Sequence, residues 1–329
     1  MLDAKRVPAD VPVSAAGQIL WSASGDSGPA IWSLRPPGDE PAVIFPSELA
    51  DAVIPIVTAS NAGYAFVLLS EAALGEGGWS VWFLGGPGQK PIEVDHGNAP
   101  HAGVAPTIAL DDHRLAWASF EEPPSGPRSF LEMAEIDSLA DVTTLLDARV
   151  EDRRLWYPAF SGDQLWYATI SGDLEGLDDP EYHIEHVDLA RPGSAPVRFP
   201  GVGLDFNPAL NDRSMVFKTN VQGDSALNWG TLRVFDLGAG GLTRIPIEHA
   251  NRPSIGARYV AFDEITHSRL LLFDTTSGQV IDVGGMRPDA AAGAVLYGGA
   301  SVSGNLLAFI EQGTEPGAQP RIGWAILPE

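Results

Sequence analysis

Chemically versatile side chains precede three prolines in the middle of the chain, Pro158, Pro208 and Pro253. They combine aromatic rings, an acid, amides, an imidazole and a guanidinium. A polar ligand held in one orientation needs such a mixture of apolar faces and hydrogen-bonding groups. The alternative is that these residues cap strand ends and bind water, as polar residues in loops commonly do. The candidate ligand-binding residues are Trp156, Tyr157, Asp205, Asn207, His249, Asn251 and Arg252. Phe206 lies between Asp205 and Asn207.

A second candidate site is the acidic segment SGDLEGLDDPE (171–181), in which Asp173, Asp178 and Asp179 supply carboxylate oxygens. Hard cations such as Ca²⁺ require several oxygen ligands. The spacing is not that of an EF-hand loop, which places its ligands around an invariant glycine. A Ca²⁺ site at these three aspartates and a solvated acidic loop are both open interpretations, and no other cofactor is indicated.

Composition excludes several kinds of chemistry. The chain has no cysteine, so it has no disulfide, no thiol nucleophile and no thiolate metal ligand. Its net charge is −23, with 43 acidic and 20 basic residues. This argues against nucleic acid and anionic membranes as partners, because both favour clustered Lys and Arg. No G-x-S-x-G nucleophile elbow occurs, and no apolar stretch is long enough to insert into a membrane.

The candidate residues must be positioned by a repeated element, whose clearest copy is LWYPAFSGDQLWY (155–167). Two runs of apolar and aromatic residues flank the polar turn Ser161, Gly162 and Asp163, which is typical of two short strands joined by a tight turn. The second run ends in an aromatic residue that recurs every 45 to 51 residues. The seven closing aromatic residues are Trp21, Phe66, Trp117, Tyr167, Phe217, Phe262 and Phe309.

A repeat of this length with four short strands is the signature of a β-propeller blade. Further apolar runs supply third strands, such as SVWFLG (80–85), and fourth strands, such as PAVIF (41–45). The sequence therefore predicts an all-β fold, a seven-bladed β-propeller of four-stranded antiparallel blades, as a single domain over residues 1–329. The seventh repeat lacks a fourth strand, so we expect residues 2–8 to complete the last blade beside the strand at 321–327.

In a propeller, the residues just before each repeat's proline would enter the innermost strand and surround the mouth of the channel. The first three repeats have ordinary apolar residues there, Val11, Ile54 and Ala105. Repeats four to six carry the candidate ligand-binding residues instead. We therefore expect a binding site at the channel mouth, on the side of repeats four to six.

The segments YPAFSGDQLWY (157–167) and FNPALNDRSMVF (206–217) resemble the repeats of TolB-like and WD40-like propellers. The TolB-like repeat has a hydrophobic residue, a proline, two or three residues, Ser-Pro-Asp-Gly, and then an apolar strand that ends in an aromatic residue. No copy in this chain has an intact Ser-Pro-Asp-Gly. The resemblance implies the propeller fold and a superfamily that includes periplasmic partner-binding proteins, peptidase gating domains and some polysaccharide lyases.

Two classes of function fit these features. The first is a non-enzymatic binding module or scaffold that presents the channel mouth to a protein or a small-molecule ligand. The alternative is an enzyme of the lyase or hydrolase class that acts there on a carbohydrate or another small molecule, with metal assistance. An enzyme needs His, Arg, Tyr and an acid around one cavity, whereas a binding module needs only an aromatic, apolar mouth. A peptidase gating domain is less favoured, because the chain contains no catalytic domain.

We expect a monomer whose partners include neither nucleic acid nor a membrane into which it inserts. The resemblance to TolB-like repeats favours an extracytoplasmic location if a leader has been removed from the N-terminus. Otherwise the composition fits a cytoplasmic protein.

Deleting residues 1–8 is expected to lower the melting temperature sharply, because the last blade would keep an unpaired strand edge at the closure of the ring. Thermal unfolding followed by circular dichroism measures the change. An unchanged melting temperature would show that residues 2–8 do not complete the last blade.

Overall fold

Short antiparallel strands form seven sheets, and each sheet is built from one continuous segment of the chain. The strands carry the aromatic and β-branched residues that suit a pleated, half-buried surface. The all-β, seven-bladed propeller predicted from the repeat is confirmed. The computed structural model describes residues 12–25, 28–46, 52–70, 78–98, 105–121, 126–150, 152–171, 181–201, 203–220, 230–264, 269–283, 294–313 and 320–329.

The blades and their strands are numbered in chain order. Blade 1 contains β1 (Val13–Ala15), β2 (Gln18–Gly25), β3 (Gly28–Leu34) and β4 (Ala42–Pro46). Blade 2 contains β5 (Ala52–Ser60), β6 (Gly63–Ser70), β7 (Gly78–Leu84) and β8 (Ile92–Asn98). Blade 3 contains β9 (Thr107–Leu110), β10 (Arg114–Glu121), β11 (Arg128–Glu135) and β12 (Thr143–Arg149). Blade 4 contains β13 (Arg154–Ser161), β14 (Gln164–Ser171), β15 (Glu181–Asp188) and β16 (Val197–Arg198).

The remaining three blades follow the same order. Blade 5 contains β17 (Leu204–Leu210), β18 (Ser214–Asn220), β19 (Thr231–Asp236) and β20 (Leu242–Arg244). Blade 6 contains β21 (Ala250–Ile255), β22 (Tyr259–Glu264), β23 (Arg269–Asp274) and β24 (Val280–Asp282). Blade 7 contains β25 (Ala294–Ser303), β26 (Leu306–Gly313) and β27 (Arg321–Ile326).

The chain divides into two compact units. The first unit comprises Met1–Gly25, Trp32–Ala42 and Ala209–Glu329, and therefore holds blades 6 and 7 with most of blades 1 and 5. The second unit comprises Asp26–Ile31 and Val43–Pro208, and holds blades 2, 3 and 4 with the beginning of β17.

Blade 7 has three strands in the part of the chain that the structure describes, in the order β25, β26, β27. The predicted fourth strand at 2–8 falls on residues outside that part, so the closure stays a prediction. Within the first unit, β1 lies beside blade 7. The Ser14 backbone N–H donates to Ser301 Oγ at 2.9 Å, and Ser14 Oγ donates to the Leu306 carbonyl oxygen at 2.8 Å.

The closing aromatic residue of every blade is fully buried. In the first unit, Phe309 of blade 7 packs in one cluster with Leu272 of blade 6. In the second unit, Trp117 of blade 3 packs with Val81 of blade 2. Complete burial of a large apolar side chain stabilises a fold by about 2–3 kcal/mol. The repeat seen in the sequence is therefore the repeat of the core, and it packs one blade onto the next inside each unit.

Hydrogen bonds between the turns of successive blades add directional links to this packing. In the second unit, Asn61 Nδ2 donates to Asp112 Oδ2 at 2.9 Å, which joins the β5–β6 turn to the β9–β10 turn. In the first unit, Asn211 Nδ2 donates to the Gly256 carbonyl oxygen at 2.6 Å, which joins the corresponding turns of blades 5 and 6. These links set the position of each first strand against the next.

Helical structure is limited in the described residues. A 3-10 turn, Ile136–Ser138, follows β11. None of the helices in the described ranges has the length and apolar character that crossing a membrane requires.

The turn between β1 and β2 places two residues in the left-handed backbone region. Ala16 has a φ of 47° and Gly17 a φ of 72°, which is the pattern of the type I′ turn that matches the twist of a hairpin. Gly17 adopts this conformation without strain because it has no Cβ. Ala16 is exposed and carries a strain of about 1 kcal/mol from its Cβ.

Ala16→Asn is expected to raise the free energy of unfolding by about 0.5–1 kcal/mol, since Asn tolerates the left-handed region and favours this turn. Gly17→Ala is the matched control and is expected to lower it by a similar amount. No neighbour lies within 4 Å of the added Cβ, so that change introduces backbone strain alone. Urea unfolding followed by tryptophan fluorescence measures both, and a destabilised Ala16→Asn variant would contradict the argument.

Candidate functional site

The first strands of blades 4 and 6 contain a β-bulge at the repeat's proline. The pairing register shifts between Trp156 and Ala159 in blade 4, and between Asn251 and Ser254 in blade 6. A bulge bends the strand and changes the direction of its side chains. The predicted site residues of these blades therefore lie where the first strand departs from regular pairing.

The residue before the proline is in the left-handed region in three successive blades. Its φ is 52° at Tyr157, 55° at Asn207 and 48° at Arg252, and these three residues are called the bulge positions. A residue before proline normally adopts an extended backbone, and a left-handed one costs a side chain roughly 1–2 kcal/mol. Blade 7 has Gly299, with a φ of 101°, in its own register shift. A glycine therefore satisfies this backbone in one blade, while three blades keep a side chain there.

Aromatic rings from blades 4 and 5 meet in the second unit. Trp156, Tyr157 and Phe206, called the aromatic cluster, have ring centroids 5.2 to 6.3 Å apart, with interplanar angles between 55° and 87°. Tyr182 packs edge-on against Phe206 at 5.4 Å, and Phe120 packs edge-on against Trp156 at 5.5 Å. Inclined aromatic pairs of this kind are favourable. Trp156 and Tyr157 are half-buried, so the cluster is packed on one side and partly open on the other.

The aromatic cluster is held by polar contacts of its neighbours. The backbone N–H of Tyr157 donates to Thr107 Oγ1 of blade 3 at 2.9 Å. Asp205 is only 2% exposed, and an added Cβ on Gly201 would lie 1.5 Å from its Oδ2. Asp205 therefore belongs to the packed interior next to Gly201, whereas Trp156, Tyr157 and Asn207 are half-buried.

His249, Asn251 and Arg252 lie in the first unit, where the structure adds two residues that the sequence analysis missed. Lys218 is 1% exposed, and its Nζ donates to Asn251 Oδ1 at 3.5 Å. Asp263 is 7% exposed and pairs in register with Asn251. Asn251, Arg252, Lys218 and Asp263 are called the polar cluster. His249, with a φ of 59°, precedes it on the chain and is half-buried.

Burial disfavours the charged form of both Lys218 and Asp263, and it therefore shifts their pKa values in opposite directions. It lowers the pKa of Lys218 to about 8 and raises the pKa of Asp263 to about 6. For Asp263 the Gly299 N–H, which lies 3.0 and 3.1 Å from the two carboxylate oxygens, and the nearby Arg252 partly offset the effect of burial. Buried groups with shifted pKa values concentrate at functional sites, although structural networks also contain them.

The signal for Lys218 and Asp263 was present in the repeat. Each follows the closing aromatic residue of its blade, at a position where four other blades have an apolar residue. Those apolar residues are Val67, Ala118, Ala168 and Ile310. A charged residue at a position that the repeat reserves for the core is the feature that would have identified both.

No metal centre is formed by the residues that the structure describes, since no group of three or more His, Asp or Glu side chains among them could hold an ion. Asp173, Asp178 and Asp179 lie outside those residues. The Ca²⁺ site therefore stays a prediction from the sequence.

Comparison of the sequence with known proteins identifies no relative. No protein-family model matches it, and no curated protein sequence does. The TolB-like and WD40-like character of the repeats therefore remains a resemblance.

Comparison of the structure finds similar propellers in peptidases. The β-propeller domain of the Trilobed protease from Pyrococcus furiosus has a TM-score of 0.68 and 8% identity over 98% of both chains. A puromycin-hydrolyzing peptidase from Mycobacterium tuberculosis has a TM-score of 0.63 and 15% identity over 99% of this chain and 55% of its own. An acylaminoacyl peptidase from Pyrococcus horikoshii has a TM-score of 0.66 and 11% identity over 99% and 53%.

This chain shares their propeller fold. It spans about half the length of the two peptidases from M. tuberculosis and P. horikoshii. At such low identity the likeness is one of architecture.

The pKa of Asp263 makes the stability depend on pH in a defined direction. The folded state holds this proton up to about pH 6, whereas the unfolded chain releases it near pH 4. Stability is therefore lost as the pH rises through that window, by at most about 3 kcal/mol. Asp263→Asn cannot ionise, so its free energy of unfolding does not contain this loss. The free energy of unfolding of the variant is therefore expected to rise relative to that of the parent as the pH increases from about 4 to about 6.

Asp274 provides the control of opposite sign. Its hydrogen bonds to Arg258 hold its pKa well below the usual range, so it stays ionised in the folded state from pH 4 to pH 7. Asp274→Asn is expected to lower stability by an amount that is nearly constant above about pH 5, where the unfolded chain is also ionised at this residue. Urea unfolding at several pH values tests both variants, and parallel pH curves for the parent and Asp263→Asn would refute the assignment.

Proposed function

We propose that this chain is a non-enzymatic binding propeller that binds a protein or a small molecule through its bulge positions, which are Tyr157 and Asn207 in the second unit and Arg252 in the first. The observation that carries the proposal is the left-handed backbone of Tyr157, Asn207 and Arg252. Strained residues concentrate where a side chain has a function. Gly299 supplies this conformation in blade 7 without strain, and the retention of Tyr157 and Arg252, which do not tolerate it as glycine or asparagine does, supports a use for these side chains beyond folding.

The surfaces at the bulge positions have the composition of binding surfaces. In the second unit, Trp156 and Tyr157 offer large, rigid rings whose ordering costs little conformational entropy. Such anchors provide much of the binding energy in protein interfaces. In the first unit, Asn251 and Arg252 offer hydrogen-bond donors. Each unit therefore offers its own kind of contact, apolar rings in the second and hydrogen-bond donors in the first.

The remaining features are compatible with a binding role. One solved structure that matches over 98% of its own length is the β-propeller domain of the Trilobed protease, and this likeness is compatible with a non-catalytic propeller domain. The net charge of −23 supports a partner other than nucleic acid or an anionic membrane. We propose that the chain acts as a monomer.

Glycine substitution tests the proposal, because it removes the side chain and relieves the backbone strain together. Tyr157→Gly, Asn207→Gly and Arg252→Gly are each expected to lose ligand affinity, while their free energy of unfolding falls less than that of the matching alanine variants. The ligand is first found by a thermal-shift screen of the parent with peptides and small metabolites. Isothermal titration calorimetry then compares each variant with the parent.

Ala16→Gly is the matched control, since it relieves a left-handed residue of similar φ that lies in the β1–β2 turn and is not a bulge position. Its ligand affinity is expected to equal that of the parent. If all three bulge variants also bind as the parent does, the ligand site lies elsewhere and the proposal fails.

A further inference from the structure

Lys218 determines the direction of the side-chain amide of Asn251. An ammonium group has hydrogen-bond donors and no acceptor, and its Nζ lies 3.5 Å from Asn251 Oδ1. The amide oxygen therefore faces Lys218, and the two Nδ2 hydrogens are directed away from it. Lys218 is 1% exposed whereas Asn251 is half-buried. The lysine is thus an internal positioning residue, and the amide donors are the part of the pair nearer to solvent.

Arg252, the next residue in the chain, brings a second set of donors to the bulge of blade 6. Its side chain is exposed, and its backbone is held at a φ of 48° directly before Pro253, whose ring fixes the following φ. A guanidinium presents five N–H donors in a planar fork that matches the two oxygens of a carboxylate. Asn251 and Arg252 are consecutive at the bulge of blade 6, so the bulge concentrates donors.

The charges of the polar cluster favour an anion. Lys218 and Arg252 contribute two positive charges, and Asp263 contributes one negative charge when ionised. Both carboxylate oxygens of Asp263 already accept from the Gly299 N–H, at 3.0 and 3.1 Å. Within the polar cluster the positive charges therefore outnumber the negative one, although the chain as a whole has a net charge of −23.

We propose that Asn251 and Arg252 bind a carboxylate group of the ligand, and that Lys218 keeps Asn251 in the orientation that donates to it. This inference rests on the proposed function, since it names the chemistry recognised at one of the bulge positions. A carboxylate is the planar acceptor that two adjacent donor groups can hold by several charge-assisted hydrogen bonds. Its source is either the C-terminus of a peptide or a small organic acid.

Two pairs of probes are used. Each pair consists of an acid with a free carboxylate, either N-acetylglycine or N-acetyl-tri-alanine, and the corresponding C-terminal amide, which has none. The acid and its amide differ in charge but hardly in shape, and the two acids distinguish a small organic acid from the end of a peptide. In ligand-observed NMR titrations with the full chain, at least one acid is expected to bind about tenfold or more tightly than its amide. Binding of N-acetylglycine alone indicates a small acid, and binding of N-acetyl-tri-alanine alone indicates a peptide terminus. Equal affinity for acid and amide, or no binding of either acid, would overturn the inference.

Variants assign the roles of the three residues. Arg252→Lys keeps the charge but loses the planar fork, and is expected to weaken acid binding by about tenfold. Asn251→Asp keeps the contact with Lys218, replaces donors by acceptors and adds a carboxylate opposite Asp263, so acid binding is expected to disappear. Lys218→Met is expected to reduce the ratio of acid to amide affinity toward one. A purely structural lysine would leave that ratio unchanged, and Ala16→Gly serves as the control with parental affinity.

The outcome distinguishes this inference from the proposed function. If both acids fail to bind, but a ligand from the screen loses affinity in Tyr157→Gly and Arg252→Gly, only the carboxylate assignment fails. If ligands from the screen bind every glycine variant as they bind the parent, the proposed function fails as well.

Discussion

Burial of one aromatic side chain at the end of each second strand is the constraint on which the structure depends. That strand pairs with the first and third strands of its own blade, and its side chains pack against the neighbouring blade of the same unit. Its position therefore determines where the first strand lies. In blade 6 the residue after the buried Phe262 is Asp263, which pairs with Asn251. The packing of the core thus places the bulge, and the bulge places the candidate site.

The fold could be predicted from the sequence because the pairing inside a blade is local in the chain. A closing aromatic residue about every 50 residues, a proline before it and a polar turn between them are enough to define the first two strands. The backbone of the bulge could not be predicted in the same way. Residues before proline are expected to be extended, yet Tyr157 and Arg252 are left-handed. The pairing of the whole strand overrides that local preference.

Lys218 and Asp263 were missed because their partners lie in the next blade. Asn251 is 33 residues from Lys218, and Gly299 is 36 residues from Asp263. A charged residue on a core strand has an unfavourable free energy of burial unless such partners are present. The sequence shows the charge but not the contact that makes it tolerable. The aromatic rings group in one unit and the donors group in the other. The sequence does not show either grouping, because each depends on distances between segments that are far apart in the chain.

At the bulge positions the backbone conformation is also independent of the type of side chain. At Tyr157 and Arg252 strand pairing sets the backbone, against the preference imposed by the proline that follows. Together with Asn207, these unrelated side chains occupy nearly the same φ. Where the side chain is exposed, as at Arg252, another can replace it without a change in the buried core, much as antibody loops vary on a constant framework. The three positions are therefore natural points for divergence, where a lineage of such propellers or a protein engineer can change ligand specificity without redesigning the fold.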